Sequence, residues 1–247
     1  MTPRQLHHFH VHKTGGVWFL TNVLAELGDA MRPHLNHALN SSYVAEENIL
    51  IPMDLYKNDY IVSSFRDPVK RTVSHFAWLA TGDVPVFYKD PFNKDLGSFN
   101  DITASNLMEW VEIRKDYISN YQSKMFLYPL VHQRHGLGYA DALFNDFIPS
   151  RDDMINQVNK VDFFYKTIQG TESNKEQMKT IIWDEFQIPP EKRISAPSLN
   201  SWDHAHQVSA DLYNSLSESD KNKIAEINAI DMEIYETNSL FWKNGVV

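Results

Sequence analysis

A short apolar strand that runs into a Lys-Thr-Gly-Gly turn and then an amphipathic helix constrains this chain more than any other feature. Residues 9–18 read FHVHKTGGVW. Glycines let a backbone approach a bound anion, the N–H groups of such a turn point one way, and the positive end of the helix dipole lies behind them. Lys13 adds a point charge at the head of the turn. The run therefore predicts a site for a phosphate or sulfate ester.

A second segment has the same character. Residues 59–65, DYIVSSF, predict a buried strand, and RDPVKRTVS follows directly. Arg66 leaves the strand end as a planar, permanently charged fork suited to a phosphate dianion. Asp67 and Pro68 are residue types typical of the N-cap and the first helical position. Ser74 lies two turns into the predicted helix, where its hydroxyl can reach the same phosphate.

The order of residues in the first motif excludes the phosphate loop of nucleoside triphosphatases. That loop places its lysine after the glycines and a Mg²⁺-binding hydroxyl after the lysine. Here Lys13 precedes Gly15 and Gly16, and the chain has no G-x-G-x-x-G dinucleotide fingerprint.

Together the two motifs resemble the 5′-phosphosulfate loop and the 3′-phosphate motif of sulfotransferases that use 3′-phosphoadenosine 5′-phosphosulfate (PAPS), among them carbohydrate 2-O/6-O enzymes and bacterial relatives. The resemblance implies an α/β, three-layer P-loop-like fold with a central parallel sheet flanked by helices. It implies PAPS as cofactor, no metal, and a catalytic Lys13 that stabilises the charge growing on the leaving bisphosphate. The cofactor-binding residues it implies are Lys13, Thr14, Gly15, Gly16, Val17, Trp18, Arg66, Ser74, Arg193, Asn200 and Ser201.

Weaker likenesses extend along the chain. Val17 and Trp18 stand where the carbohydrate enzymes carry Thr and Ser, and Trp18 is similar to the tryptophan in the loop of small-molecule cytosolic sulfotransferases. Four further segments resemble family patterns in the family's order: NYQSK at 120–124, DFFYKTIQGTE at 162–172, SLNS at 198–201 and NAIDMEIY at 228–235.

The acceptor hydroxyl needs a general base, and histidine suits that task near neutral pH. In the resembling enzymes a His or Glu falls between the first helix and the Arg-Asp-Pro strand. His37 is the first candidate for the catalytic base and His34 the second, with Glu46 and Glu47 as alternatives.

Three histidines alternate along the first predicted strand. His8, His10 and His12 could share one face and hold a metal ion. We favour the interpretation that they are ordinary residues of a central strand.

Composition limits the partners. The 247 residues predict a single domain with a net charge of −9, which argues against nucleic acids and other polyanions. We therefore expect a small or weakly charged acceptor, such as a glycan or metabolite. The chain has no cysteine, no apolar stretch that could cross a membrane and no signal-peptide pattern, so we expect a cytoplasmic enzyme.

Periodicity predicts alternating strands and helices, and hence a parallel α/β sheet. Expected strands are 6–12, 59–65 and 161–168, with a possible strand near 32–38; expected helices are 17–28, 68–80, 103–115, 117–126, 174–186, 207–216 and 218–240. The stretches 81–100 and 130–153 are expected to be loops. The aromatic residues Tyr213, Tyr235, Phe241 and Trp242 lie at helical spacing and are expected in the core.

Two other functions stay open. One is a nucleotide-binding protein of sulfotransferase fold with weak or no catalysis, which the valine in the turn favours. The other is a phosphoryl-transfer enzyme of the nucleotide-kinase type, which the order of lysine and glycines disfavours.

Overall fold

The computed structural model describes residues 4–9, 11, 14, 18–19, 22–31, 34, 59–80, 102–127, 149–167, 172–195 and 204–243. Within this part of the chain, one sheet contains strands in the order β1-β2-β3-β4. The strands are β1 (Leu6–Phe9), β2 (Tyr60–Phe65), β3 (Phe163–Lys166) and β4 (Phe241–Lys243). The α/β class is confirmed, and the three predicted strands that fall here are present in shorter form.

The sheet is mixed, which corrects the expected wholly parallel sheet. Strands β1, β2 and β3 are parallel, with Leu6 opposite Tyr60 and Phe65 opposite Lys166, whereas β4 is antiparallel to β3. A parallel return needs a long crossover, but the chain pairs with β3 again only a few residues after its last helix. The Lys166 amide donates to the Leu240 carbonyl oxygen at 2.8 Å, where this return begins.

Helices surround the sheet. They are α1 (Pro68–Ala80), α2 (Ala104–Ile113), α3 (Lys115–Ile118), α4 (121–127), α5 (Arg151–Val158), α6 (Glu172–Glu185), α7 (His204–Ser215), α8 (Glu218–Ile227) and α9 (Ala229–Thr237). Trp18, Phe19 and Asn22 are also helical, and Leu24–Leu27 form a 3₁₀ turn.

Helix α1 has the predicted bounds, and its predicted cap is confirmed. The Lys70 amide donates to Asp67 Oδ1 at 2.9 Å, and Pro68 is the first helical residue. This N-terminus fixes where β2 must stop, since the cap ends the extended backbone.

Three predicted helices or loops have wrong boundaries. The expected helix 117–126 is interrupted at Ser119 and Asn120, between α3 and α4. Helix α5 begins inside the expected loop 130–153, because the Ser150 hydroxyl accepts the Asp153 amide at 3.1 Å and starts a turn. The expected helix 218–240 is two helices that meet at Asn228, whose side-chain amide donates to the Ile224 carbonyl oxygen at 2.8 Å. Trp242 is buried as expected, but on strand β4 instead of a helix.

Apolar side chains are buried on both faces of the sheet. Ile61 and Phe65 of β2 belong to a core cluster shared with α1, α2 and α4. Tyr60 and Val62 point the other way, into a second cluster that includes Phe19 and residues of α6. All of β2 is buried, as expected of a central strand covered on both sides. No helix in the described segments is both long and apolar enough to cross a membrane.

Candidate anion-binding site

The parallel strands end together at one edge of the sheet, here called the carboxyl edge, and begin at the opposite amino edge. Ligands of open α/β sheets bind at the carboxyl ends of the strands. Thr14 follows β1, Arg66 follows β2 and Thr167 follows β3, so residues from both motifs predicted to bind phosphate lie at the carboxyl edge.

Thr14 joins the first two strand ends. Its hydroxyl donates to the Val11 carbonyl oxygen at 2.7 Å and contacts Ser64 Oγ at 2.6 Å. Since the single proton of Thr14 goes to Val11, Ser64 is the donor in the second bond. Both side chains are fully buried. The residue at the centre of the Lys-Thr-Gly-Gly turn is therefore an anchor whose hydroxyl is already in use.

Thr167 joins the third strand end to the same place. Its amide donates to the Phe65 carbonyl oxygen at 2.8 Å, and its hydroxyl donates to the Thr14 carbonyl oxygen. The ends of the three parallel strands are thus held together by hydroxyl and backbone hydrogen bonds among Thr14, Ser64, Phe65 and Thr167.

Arg66 is fixed through its main chain. Its amide donates to Gln122 Oε1 at 2.8 Å, and Gln122 Nε2 donates to the Arg66 carbonyl oxygen at 2.9 Å. Burial lowers the pKa of the Arg66 guanidinium from its ordinary value; the charge of Arg71 acts in the same direction, and Asp67 opposes both. A nearby anion would stabilise the charged guanidinium and offset its desolvation, so the position favours anion binding.

A second cation lies at the adjacent strand end. Lys166 is opposite Phe65 in the sheet, and its Nζ lies 4.4 Å from the ring centroid of Tyr235. Burial also lowers the pKa of Lys166, against the opposing charge of Glu236. Tyr235 also interacts electrostatically with Arg66. Burial and the charge of Asp67 raise the pKa of the Tyr235 phenol, and the charge of Arg66 lowers it. Lys166 thus lies over the Tyr235 ring, and Arg66 is near enough to interact electrostatically with the Tyr235 hydroxyl.

Of two other predicted residues, Trp18 borders this edge and Ser74 lies within the helix that begins there. Trp18 lines a small cleft at the end of β3, together with Tyr165, Lys166, Thr167, Met178 and Phe241. Ser74 is buried two turns into α1.

The structure does not bring His34 and Arg193 to this edge. His34 Nδ1 contacts the Arg4 carbonyl oxygen at 2.6 Å, and its ring lies 4.8 Å from that of Phe186. Arg4 precedes β1, so His34 lies at the amino edge. Arg193 pairs with Asp184 at 2.7 Å, close to the C-terminus of α6.

The remaining site predictions lie outside the described residues. They concern Lys13, Gly15, Gly16, Val17, His37, Asn200 and Ser201, with the alternatives Glu46 and Glu47. His10 and His12 of the conceivable metal site also lie outside them. His8 is buried against Phe19, with ring centroids 4.6 Å apart, and no group of metal-ligand side chains occurs among the described residues.

Sequence reasoning missed three residues of this edge: Ser64, Lys166 and Thr167. Gln122 belongs to the segment 120–124, which resembles a family pattern near the nucleotide, but its contact with Arg66 was not predicted. Ser64, Lys166 and Thr167 fall inside or at the end of predicted strands, so the rule that parallel strands end together could have found them. The contact of Gln122 with Arg66 spans 56 positions and leaves no local signal. Comparison with models of protein families, with curated proteins and with solved structures finds no match to this chain.

Proposed function

We propose that the protein is a sulfotransferase that moves the sulfuryl group of PAPS to a hydroxyl of a carbohydrate or small-metabolite acceptor. One observation carries the proposal: residues of two motifs far apart in sequence, Thr14 and Arg66, lie at the same carboxyl edge, with the partly desolvated cations Arg66 and Lys166 on adjacent strands. Two such cations at one edge fit a nucleotide with two anionic groups.

The proposed roles follow the edge. Arg66 and Ser74 bind the 3′-phosphate, and the turn of residues 13–18 binds the 5′-phosphosulfate. Arg193 is held by Asp184, and we do not assign it to the phosphate. Asn200 and Ser201 stay predictions. The burial of apolar residues on both faces of the sheet supports the three-layer P-loop-like arrangement.

The proposed reaction is an in-line displacement at sulfur. The acceptor oxygen forms a bond to sulfur while the bond between sulfur and the bisphosphate oxygen breaks, and the acceptor proton passes to a general base. Lys13 stabilises the charge that develops on the leaving oxygen. We assign the base to His37, with Glu46 and Glu47 as alternatives, since His34 lies at the amino edge. No metal takes part.

A second candidate is a nucleotide-binding protein of the same fold with little or no catalysis. The placement of His34 favours it, because one of the two histidines expected as base is engaged with Arg4 at the far edge. Under both functions we expect a single-domain cytoplasmic protein whose net charge of −9 disfavours nucleic acids and polyanionic acceptors.

Calorimetric titration with adenosine 3′,5′-bisphosphate, AMP and Mg²⁺-ATP tests the proposal. We expect a dissociation constant on the order of micromolar for the bisphosphate and much weaker binding of AMP. Arg66→Ala should weaken bisphosphate binding about hundredfold, the equivalent of about 2.7 kcal/mol, and Lys13→Ala should weaken it similarly. Arg4→Ala is the matched control, since Arg4 pairs with Glu185 at the amino edge.

The outcomes separate the candidates. Sulfate transfer from labelled PAPS to an acceptor panel supports the enzyme, and bisphosphate binding without transfer supports the binding protein. A preference for Mg²⁺-ATP would favour a kinase, and normal bisphosphate binding by both the Lys13 and Arg66 variants would overturn the site assignment.

A further inference from the structure

The support of Arg66 begins at Gln122, which lies in the first turn of α4. Its side-chain amide accepts from and donates to the main chain of the residue at which β2 ends, with bonds of 2.8 and 2.9 Å. The Gln122 side chain thus makes the two main-chain hydrogen bonds that a residue of a neighbouring strand would otherwise make. Two bonds to one residue restrict its backbone dihedral angles and therefore the direction in which the Arg66 side chain leaves the sheet. Gln122 is fully buried.

Asp231 in turn holds Gln122. One oxygen of its carboxylate accepts the Gln122 amide at 2.9 Å, and the other accepts the Ser123 amide at 2.9 Å and the Ser123 hydroxyl. The first N–H groups of a helix have no partner within the helix, so a side chain from elsewhere must satisfy them. For α4 that side chain comes from α9, more than a hundred positions later.

The N-terminus of α9 is capped in the same way, by a residue next to α4. Asn120 precedes α4, and its Oδ1 accepts the amides of Ile230 at 2.9 Å and Asp231 at 3.3 Å. The backbone of Asn120 is left-handed, with φ 46°, a conformation that asparagine tolerates better than most residues. Asp231 of α9 therefore caps the N-terminus of α4, and Asn120, just before α4, caps the N-terminus of α9. These reciprocal hydrogen bonds fix the position of each helix relative to the other.

The carboxylate of Asp231 is fully buried, so its interactions must offset its desolvation. Burial raises the pKa of Asp231, while the hydrogen bonds from Ser123 and Gln122 and the charge of Arg71 lower it. Arg71 lies in α1, where its guanidinium carbon is 4.2 Å from the ring centroid of Tyr121. A buried ionisable group of this kind destabilises the fold unless every acceptor position is used.

We propose that Gln122 and Asp231 are positioning residues that direct the Arg66 guanidinium at the 3′-phosphate of the bound nucleotide. The inference rests on the proposed function, which supplies the ligand of Arg66. Asp231 orients Gln122 by accepting a hydrogen bond from its main-chain amide. The side chain of Gln122 in turn orients Arg66 through the main-chain amide and carbonyl groups of Arg66. Neither side chain touches the nucleotide.

Gln122→Met tests the proposal, because methionine keeps the length of the side chain and removes both hydrogen bonds. We expect bisphosphate binding to weaken about tenfold, as for one misdirected charge-assisted hydrogen bond. Binding of AMP, which lacks the 3′-phosphate, should stay unchanged. Gln157→Met is the matched control, since Gln157 is also buried but lies on α5, which leads into the amino end of β3.

The ratio of AMP to bisphosphate dissociation constants is the readout, because a merely structural loss would weaken both ligands together. A lowered ratio in Gln122→Met, with the wild-type ratio in Gln157→Met, supports the proposal. An unchanged ratio in a folded Gln122→Met protein overturns it. If wild type shows no preference for the 3′-phosphate, the proposed function itself fails.

Asp231→Asn provides a second variant in case Gln122→Met does not fold. Asparagine keeps the shape and one acceptor oxygen but cannot accept both the Gln122 and Ser123 amides. We expect a smaller fall in the same ratio, about threefold, with thermal unfolding recorded to confirm the folded state. An unchanged ratio in this variant would equally overturn the proposal.

Discussion

The two edges of the sheet use charge differently. At the amino edge basic side chains are paired with carboxylates: Arg4 with Glu185 at 2.6 Å, His7 with Asp59 at 2.9 Å and Arg193 with Asp184 at 2.7 Å. At the carboxyl edge the strand ends are joined by hydroxyl and backbone bonds, and the cations Arg66 and Lys166 lie where burial lowers their pKa values. One edge is neutralised internally, and the other is suited to an external anion.

If this comparison holds, amino-edge variants should lower stability without affecting nucleotide binding. Gly28→Ala should have the largest effect. Gly28 has φ 74°, and an added Cβ would overlap the carbonyl oxygen of Ile194. Because backbone cannot move aside as a side chain can, we expect a loss of about 3 kcal/mol in the free energy of unfolding.

Chemical denaturation measures that loss, with Asp29→Ala as an exposed neighbouring control. Bisphosphate binding by the folded fraction of the glycine variant should equal that of wild type. A binding defect larger than the stability defect would show that the two edges are coupled.

Acid should lower the free energy of unfolding through His8, a buried residue of β1. Burial lowers the pKa of His8 from 6.5 to about 3, and its ring lies against Phe19, which stacks on Tyr165. Between pH 6.5 and pH 3 the imidazole is neutral in the folded state but protonated in the unfolded state. This contribution to stability is therefore complete above pH 6.5 and is lost as pH falls towards 3. At pH 5 the loss is about 2 kcal/mol.

Urea denaturation at pH 7 and pH 5 measures this loss in wild type and in His8→Leu. The variant should lose less stability between the two pH values, whatever its stability at pH 7. The same decrease in both proteins would contradict the buried neutral histidine.

Thr14→Val should affect stability and binding together, as expected of a carboxyl-edge anchor. The substitution keeps the shape of the side chain but leaves Ser64 Oγ and the Val11 carbonyl oxygen without their partner. We expect about 1.5 kcal/mol of destabilisation and weaker binding of both AMP and the bisphosphate. A loss of stability with unchanged binding would show that the Thr14 anchor supports the fold but not the nucleotide site.

The smallest effect is expected for His34→Ala. The substitution removes the imidazole and its contacts with Arg4 and Phe186, which should lower the free energy of unfolding by about 1 kcal/mol or less. Transfer from labelled PAPS should be unaltered. A hundredfold fall in transfer at unchanged bisphosphate binding would identify His34 as the base and break the comparison.

The sequence was most informative where local chemistry decides the structure. The Asp67 cap and Pro68 give α1 its predicted bounds, and the apolar run 60–65 is the strand expected from it. The Ser150 cap of α5 was readable as well, but its few apolar residues gave no clear helical period.

Tertiary contacts explain what could not be predicted. The break at Asn228 depends on Asn120, whose side chain takes the amide of Ile230. Strand β4 has three residues, too few for an alternating pattern, and it exists through pairing with β3. His34 was a candidate base because of its interval in the chain, and an interval does not show which edge a residue reaches.

The reciprocal caps between α4 and α9 also set a time order for folding. Arg66 is separated from Gln122 by 56 positions, and Gln122 from Asp231 by 109. Contacts between distant positions pay their loop-closure entropy late and slow the folding of a chain. A nascent chain that ends before α9 has both motifs predicted to bind phosphate but lacks the carboxylate that caps α4. If the proposed function holds, competence to distinguish a 3′-phosphate should therefore arise only after residue 231 has left the ribosome, long after both motifs have emerged.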